Sequence, residues 1–353
     1  MPGNVPMDQF ITILKHLSKG KRLSQLESQK AFSMIMTGKI SQAKIAAFLI
    51  ALKKGGETSE EISGAVRVLR KLSLKIQAPL NAVDTCGTGG DGLGTLNIST
   101  AAAIIAASCG IPVCKHGNRS ITSKSGSADV LTELGVNINA ERRVSEKALR
   151  ETNICFLMAP NYHSAMKHVA DVRRDIGIRT IFNILGPLLN PAQCKYQLIG
   201  VYSKKLIKIV AKVLTKFNVK CAWVVHGQDG LDEITTTGLT SVAEVQGSNI
   251  RYFRISPKKL GLRKSSLKSI KGGSPKKNAR AIKDMLMGKR GAFRDICLLN
   301  AAAAIKISKG SKTLAGGIKM AQVAIDSGQA SDTLKLSLIH ISEPTRRTPI
   351  SYA

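Results

Sequence analysis

The 353-residue chain reads as an α/β protein in which a small N-terminal all-helical domain, residues 1–77, precedes a larger α/β domain with a mostly parallel central sheet. Three observations predict this. Apolar residues recur at spacings of three and four up to about residue 75, with glycines closing the segments. From Ala78 onward, short apolar runs alternate with amphipathic stretches, the pattern of strands joined by crossover helices. These apolar runs lead into polar loops, and the C-terminal strand ends of an open parallel sheet are where ligands bind.

The helical part reads FITILKHLSKG, QKAFSMIMTGKI, SQAKIAAFLIALKKGG and SEEISGAVRVLRKLSLKI. Gly20, Gly38 and Gly55 mark its stops, and Ser41 and Thr58 its caps. Met34, Met36 and Phe48 lie on the apolar stripes and are expected in the core or a subunit interface. The strand candidates are AVDTCG, IPVCKHG, ICFLMAP, YQLIGVY and CAWVVHG, with SKKLIKIVAKVLTKF as a helix between the last two. Residues 172–195 interrupt the alternation and read as a helix, ended by Gly186-Pro187 and Asn190-Pro191, that packs back on the N-terminal helices. The α/β domain is then 78–171 together with 196–336. Within it, 255–275 is basic, carries Gly and Ser, and is expected to be a surface connection, while 278–305 and 311–327 are expected to be helical. The end, 337–353, has two prolines and no helical period. It does not continue the preceding helix, and no structure is expected of it.

Composition narrows the function. The residues are 43% hydrophobic but only 4% aromatic, so the core is expected to be aliphatic. Lys and Arg number 53 against 23 Asp and Glu, a net charge of +30 that attracts polyanions, nucleic acid first among them. Yet the lysines are spread along the chain, and five tyrosines and one tryptophan offer little for base stacking. Most of this charge reads as a solvated surface. The seven cysteines form no CxxC pair and no metal spacing, and several sit in apolar runs, as free thiols of a reducing compartment do. With no apolar run of membrane-spanning length and no signal peptide, a cytoplasmic protein is expected.

Chemistry concentrates between Asp84 and Asp129. Two glycine-containing loops, DTCGTGGDGLGT and KHGNRSITSKSGS, flank an apolar helical run from Thr100 to Cys109. Glycine lets successive amides turn inward and an anion approach the backbone, and the following helix points its positive end at the same place. Taken alone, Asn97, Ser99 and Thr100 are helix caps and GTGGD is a turn. The arrival of a second loop with its own cations, Lys115, His116, Arg119 and Lys124, favours an anion cradle. A third signal is HGQDGLDEIT, where Asp229, Asp232 and Glu233 follow the strand CAWVV. Adjacent carboxylates repel unless a cation lies between them, and oxygen ligands of this kind suit Mg²⁺ held with substrate phosphates. An acidic turn in solvent is the alternative for this loop by itself. Cradle and metal together imply a diphosphate. The fourth signal, APNYHSAMKHVADVRRDIG, offers Tyr162, His163, His168, Arg173 and Arg174, of which Arg173 is the candidate to grip a carboxylate bidentately. Such residues on a helix are otherwise surface or structural.

The ordered series DTCGTGGD, NIST, KHGNRS, SKSGSADVL, NYHSAMKHV, VRRDIGIRTIFNILGPLLNP and HGQDGLDEIT resembles the anthranilate phosphoribosyltransferase family of tryptophan biosynthesis, over roughly residues 8–335. The resemblance implies a homodimer whose active site lies in the hinge between the helical domain and an α/β domain that binds phosphoribosyl diphosphate. It assigns Gly87, Gly90, Asp91, Thr95, Asn97, Ile98, Ser99 and Thr100 to the first donor loop. Lys115, His116, Gly117, Asn118, Arg119, Ser120, Ile121, Thr122 and Ser123, with Ser127, hold the rest of that substrate. Asp232 and Glu233, with Ser99, are the implied ligands of Mg²⁺, two ions per site. Gly87, Asn118 and Arg173 are implied to contact anthranilate, with His116, His163, Tyr162 and Pro187 lining its approach.

No strong base is then needed. The aromatic amine is neutral at pH 7 and attacks the anomeric carbon directly, while Mg²⁺, Lys115 and backbone amides stabilise the departing diphosphate. The family suggests a dissociative, oxocarbenium-like transition state. Lys115, His116 and Arg173 are the catalytic candidates, His116 by positioning rather than as a general base. Two departures stand out. The similarity ends near Leu336, where family members continue in an apolar-faced helix, and residues 337–353 have a non-native look, closer to translated adapter text. The charge of +30 is also high for a metabolic enzyme. Two other readings compete: a pyrimidine nucleoside phosphorylase-like enzyme on the same architecture, which has no use for the acid pair, and a non-catalytic relative that binds nucleic acid through the basic surface.

Overall fold

The computed structural model describes residues 5–119 and 125–342. The N-terminal helices are α1 (Val5–Ser18), α2 (Gln25–Met36), α3 (Gln42–Gly55) and α4 (Ser59–Leu72). Ser24 and Thr58 cap α2 and α4 through full capping boxes with Glu27 and Glu61. Ser41 begins α3 in cap position, but its side-chain oxygen accepts from no helix amide. Gly20 and Gly38 adopt positive φ at the chain reversals, and after α3 it is Gly56, one residue past the expected Gly55, that does so.

A seven-stranded sheet follows, in the order β3-β2-β1-β4-β5-β6-β7. The strands are β1 (Val83–Asp84), β2 (Val113–Gly117), β3 (Ile154–Met158), β4 (Tyr196–Gly200), β5 (Cys221–Gly227), β6 (Thr240–Gln246) and β7 (Asn249–Ile255). The first five are mutually parallel and the last two antiparallel. The α/β class with a mostly parallel sheet is therefore borne out, with a β6–β7 hairpin that the strand candidates did not include. The chain runs outward from β1 to β3 and returns to place β4 on the other side of β1. That reversal opens a crevice at the ends of β1 and β4, where sheets of this kind bind ligands.

Helices α5 (Ile98–Ser108), α6 (Ser127–Leu134), α7 (Arg142–Thr152), α8 (Ala159–Tyr162), α9 (Lys167–Ile176), α10 (Phe182–Leu185) and α11 (Lys204–Leu214) fill the connections. The C-terminal helices are α12 (Pro275–Leu286), α13 (Ala292–Ile307), α14 (Leu314–Asp326) and α15 (Gln329–Ser342). Expected as one helix, 278–305 is two, because Gly288 and Gly291 both take positive φ between them. The helix also continues past Leu336, contrary to expectation: Ser337 is buried and Leu338 packs on the core, so α15 reaches Ser342. The remainder of the tail lies outside the described residues.

Two large apolar clusters lie on opposite faces of the sheet. One is built from α5, α6 and α12–α15, with Ile98, Ala102, Trp223, Leu231 and the alanines of α13. The other joins the N-terminal helices to α9, α10 and α11, with Phe32, Phe48, Phe182, Ile199 and Val224 in one continuous core. Phe48 and Met36 are buried there. A third, small cluster holds Cys114, Cys155, Cys194 and Tyr162. All seven cysteines are free thiols. Among the described residues no helix is long and apolar enough to cross a membrane.

Candidate active site

Three chain segments converge at the crevice. Strand β1 ends at Asp84 and releases the first glycine loop, with Gly89, Gly90, Gly92 and Gly94 all at positive φ. Strand β4 ends at Gly200, whose carbonyl accepts from the Thr88 amide at 2.8 Å. From β5 comes the loop carrying Asp232 and Glu233. The Gly89 amide donates to Asp232 Oδ2 at 2.7 Å and the Ser99 amide to Glu233 Oε1 at 3.1 Å. Thus the acid pair bridges the glycine loop and the positive end of α5, where the macrodipole favours negative charge.

Packing here depends on missing side chains. A Cβ on Gly200 would lie 1.5 Å from the Asp232 carbonyl oxygen, and one on Gly87 would lie 3.0 Å from Asp232 Oδ2. Asn300, buried on α13, secures the loop from behind: its amide donates to the Ile234 carbonyl at 2.8 Å and its oxygen accepts from the Ile234 amide at 3.0 Å. Asp229 turns away to Thr235, Thr237 and the Leu231 amide, and serves the loop's own fold.

Electrostatics point to a cation. Burial and the neighbouring Asp91 carboxylate push the Asp232 pKa up, and burial followed by the charge of Asp232 does the same for Glu233. Lys115, buried on β2, offsets part of this: its Nζ lies 3.3 Å from Ser99 Oγ and 3.4 Å from the Thr85 carbonyl, and its charge lowers the Glu233 pKa. One ammonium facing Asp91, Asp232 and Glu233 leaves a surplus of negative charge. Among the described residues no three His, Cys, Asp or Glu side chains close into a preformed metal cage. An open acid pair is what Mg²⁺ uses when substrate phosphates and water complete its shell, so the donor set fits that ion.

The remaining donor-loop candidates divide in two. Gly90 and Thr95 are held by neighbours: the Gly90 carbonyl accepts from Arg179, and Thr95 forms a β-bridge with Lys271. Asn97 caps α5 without a side-chain bond to the helix, its oxygen accepting instead from Asn278 at 2.8 Å. Asp91 accepts from the Leu93 amide, and Ile98 is buried in the core. Thr100 Oγ1 is buried without a partner. Part of the 255–275 connection is not surface at all, because Ile270 is fully buried and Lys271 and Gly272 bond the Leu93 and Gly94 carbonyls. Of the second loop, Lys115, His116 and Gly117 belong to β2 itself. Asn118 accepts from Ser127 Oγ and the Ala128 amide, and Arg119 pairs with Asp129 at 3.0 Å. Ser120, Ile121, Thr122 and Ser123 lie outside the described residues.

A second group gathers around the segment from Phe182 to Pro187. His116 Nδ1 lies 3.1 Å from the Gly186 carbonyl, an acceptor only, so Nδ1 carries the proton and Nε2 is a free acceptor. The His163 ring stands edge-on to His116 at 5.4 Å, both its nitrogens buried without partners. Burial lowers the pKa of His116 to about 3, with His163 and Lys115 adding to the shift, and burial lowers that of His163 to about 4. Both rings are neutral at pH 7. Arg173 is half-buried on α9, its guanidinium 5.2 Å from the Phe182 ring, with no ion pair to a described residue, and desolvation lowers its pKa. Arg173 thus stands at the Phe182 end of this segment, and His116 with His163 at its Gly186 end. Tyr162 does not line it; its ring is buried in the third apolar cluster beneath β2 and β3.

Several residues that shape the site are not among the sequence candidates. Asp84 is buried, accepts from the Cys86 and His116 amides, and thereby ties β1 to β2; burial raises its pKa to about 6. Its place at a strand end was a usable signal. Arg179, Gly200, Lys271, Asn278 and Asn300 act through contacts remote in sequence, which no local pattern reveals.

Comparison with known proteins gives two matching family models, a glycosyl transferase family helical bundle domain over residues 11–73 and a glycosyl transferase family a/b domain over 80–331. An anthranilate phosphoribosyltransferase of Parvibaculum lavamentivorans is 48% identical over 93% of the chain and 96% of its own length. The crystal structure of anthranilate phosphoribosyltransferase from Thermus thermophilus superposes with a TM-score of 0.88 at 34% identity, covering 94% of this chain and 99% of that one. The Saccharomyces cerevisiae enzyme in complex with PRPP and Mg gives 0.87 at 31% identity, covering 94% and 98%. The same yeast enzyme is also known in complex with 4-fluoroanthranilate.

Proposed function

The chain belongs to the anthranilate phosphoribosyltransferase family, and from that membership we propose how its own residues divide the work. The protein transfers the phosphoribosyl group of 5-phosphoribosyl 1-diphosphate to the amine of anthranilate, giving N-(5-phosphoribosyl)anthranilate and diphosphate in tryptophan biosynthesis, and uses magnesium. The observation that carries the division is the insertion of Asp232 and Glu233 between the Gly89 and Ser99 amides.

The donor occupies the crevice around the first glycine loop. Gly87, Gly90, Asp91 and Thr95 shape it, while Asn97, Ile98, Ser99 and Thr100 present the amide end of α5. The second loop, Lys115 to Ser123, with Ser127, binds the rest of the donor. Magnesium, two ions per site held by Asp232, Glu233 and Ser99, neutralises the diphosphate and stabilises the charge that gathers on it. Lys115 adds a fixed positive charge whose low-dielectric surroundings strengthen its effect on the leaving group.

Anthranilate binds along the segment from Phe182 to Pro187. Arg173, its guanidinium over the Phe182 ring, meets the substrate carboxylate with a planar fork. The neutral amine attacks the anomeric carbon as the bond to diphosphate breaks; that bond's electron pair leaves on the diphosphate oxygen, and the surplus proton on the new N–C bond's nitrogen passes to the released diphosphate or to water. A ring with a pKa of about 3 is a poor base at pH 7, which favours His116 as an orienting group: Nδ1–H fixed on Gly186, Nε2 open to accept from the amine. His163, Asn118 and Pro187 complete the acceptor's site.

Family membership further supports a homodimer, with exposed Leu26 and Ile50 on α2 and α3 as apolar surface for it, and a cytoplasmic setting for the free thiols. The basic surface binds nucleic acid only non-specifically. A pyrimidine nucleoside phosphorylase reading leaves the buried acid pair without a task. The deciding experiment follows the fluorescence of anthranilate with PRPP and Mg²⁺. Loss of the signal that depends on all three components is expected; a flat trace with folded protein would refute the reading.

A further inference from the structure

We propose that Arg179 is a positioning residue for the donor loop, holding the Gly90–Asp91 peptide in its binding orientation through the Gly90 carbonyl and the ring of Tyr202. The inference rests on the transferase reading only in assigning that loop to PRPP.

The placement of Arg179 is built by the fold. Helix α9 ends at Gly177 in a left-handed cap, φ 66°, and the chain turns away from the helix axis there. Two residues later the Arg179 guanidinium donates to the Gly90 carbonyl and lies over Tyr202, with Cζ 4.5 Å from the ring centroid. Tyr202, just beyond β4, donates its amide to Thr88 Oγ1 at 3.0 Å. Both ends of the Thr88–Gly90 segment are thereby attached to a single stacked pair. Gly90 has φ 75°, and a Cβ there would stand 3.5 Å from Arg179 Nε. A trans peptide is planar, with its N–H opposed to its C=O. Fixing the Gly90 carbonyl therefore fixes the direction of the Asp91 amide and the stem of the Asp91 side chain.

Arg179 carries a full positive charge beside the loop, and both it and the Glu57 carboxylate act on Tyr202. A neutral donor would suffice to hold a carbonyl. A cation beside the loop additionally favours a polyanionic ligand.

The test uses full-length Arg179→Ala, Arg179→Lys and Tyr202→Leu proteins, read by steady-state kinetics with Mg²⁺ and by calorimetric PRPP binding. For Arg179→Ala, KM and Kd for PRPP are expected to rise about tenfold, as for loss of a charge-assisted hydrogen bond, with anthranilate KM changed less than about twofold. Arg179→Lys keeps the charge and should recover part of the loss; Tyr202→Leu should show the same selectivity to a smaller degree. Unchanged PRPP affinity in Arg179→Ala would overturn the proposal. So would an equal loss for both substrates with a lowered melting temperature, the mark of a purely structural residue. Should Arg179→Ala fail to fold, Arg179→Lys and Tyr202→Leu decide by the same selectivity. An inactive wild-type protein that still binds PRPP through Arg179 would count against the transferase reading and for this one.

Discussion

Asp232 and Glu233 carry the sharpest prediction at the scale of single residues, because burial acts on both, and like charge, from Asp91 on Asp232 and from Asp232 on Glu233, acts in the same direction. Their folded pKa values are raised, so the metal-free protein keeps protons that the unfolded chain has lost. The associated stability is full below the ordinary carboxylate range and is lost as pH rises through the raised values. Magnesium must displace those protons, so its affinity should increase with pH across the same window. With PRPP present, Mg²⁺ is expected to bind more tightly at about pH 8 than at about pH 6. In Asp232→Asn with Glu233→Gln the protein's share of that dependence disappears, which separates it from titration of the substrate phosphates. Turnover of this double variant at ordinary Mg²⁺ should vanish; near wild-type rates would remove the acid pair from the metal site. Arg173→Ala is a different case, since the guanidinium sits over the Phe182 ring. Its expected signature is a raised KM for anthranilate, with KM for PRPP little changed. An unaltered anthranilate KM would take Arg173 out of the substrate site.

Between elements, the site depends on contacts that admit no extra atom. Gly200 ends β4 under the Asp232 carbonyl, at a distance that no Cβ tolerates. Gly200→Ala must push the 229–234 loop away from β4, and overpacking of this kind costs about 1–3 kcal/mol. Denaturant unfolding should report that loss, and the Mg²⁺ requirement for half-maximal rate should rise with it; a variant with unchanged stability and Mg²⁺ response would show that the loop is not fixed there. Gly200 was unremarkable in the sequence, since its constraint comes from a residue thirty-two positions later. What was legible had local causes. The strand-to-loop passages at Asp84, Lys115 and Gly227 showed as apolar runs ending in glycine or charge, and the acid pair showed as adjacent carboxylates in a basic chain. The β6–β7 hairpin also had a local cause, a Gly247-Ser248 turn between Thr240–Gln246 and Asn249–Ile255, with Gly247 at φ 59°. Not legible were the Arg179–Gly90, Lys271–Leu93 and Asn300–Ile234 contacts, in which the partners are 89, 178 and 66 residues apart.

For the whole molecule, the question is whether the N-terminal helices are an independent unit or part of the sheet's covering. The second apolar cluster answers it physically. Phe10, Phe32 and Phe48 of α1–α3 share that cluster with Val169, Ile184, Leu206, Val210 and Val224, so one core runs from the helices through α9–α11 to the sheet face. Phe32 meets the Phe182 ring edge-on at 5.8 Å, and Arg70 of α4 donates to the Leu188 carbonyl at 2.7 Å. Removing α1–α4 would expose this whole surface, and each large aliphatic side chain left uncovered forfeits about 1.5–3 kcal/mol. The loss exceeds the stability of an ordinary domain after only a few such residues. Residues 78–336 expressed alone are therefore expected to aggregate or to lack a cooperative melt, and adding residues 1–77 as a separate chain should restore solubility. A monodisperse fragment with a sharp thermal transition would show instead that the α/β part folds by itself. With one continuous core, motion between the two parts must be small enough to keep that core closed. Opening of the site is then confined to the segments outside that core, the first glycine loop among them.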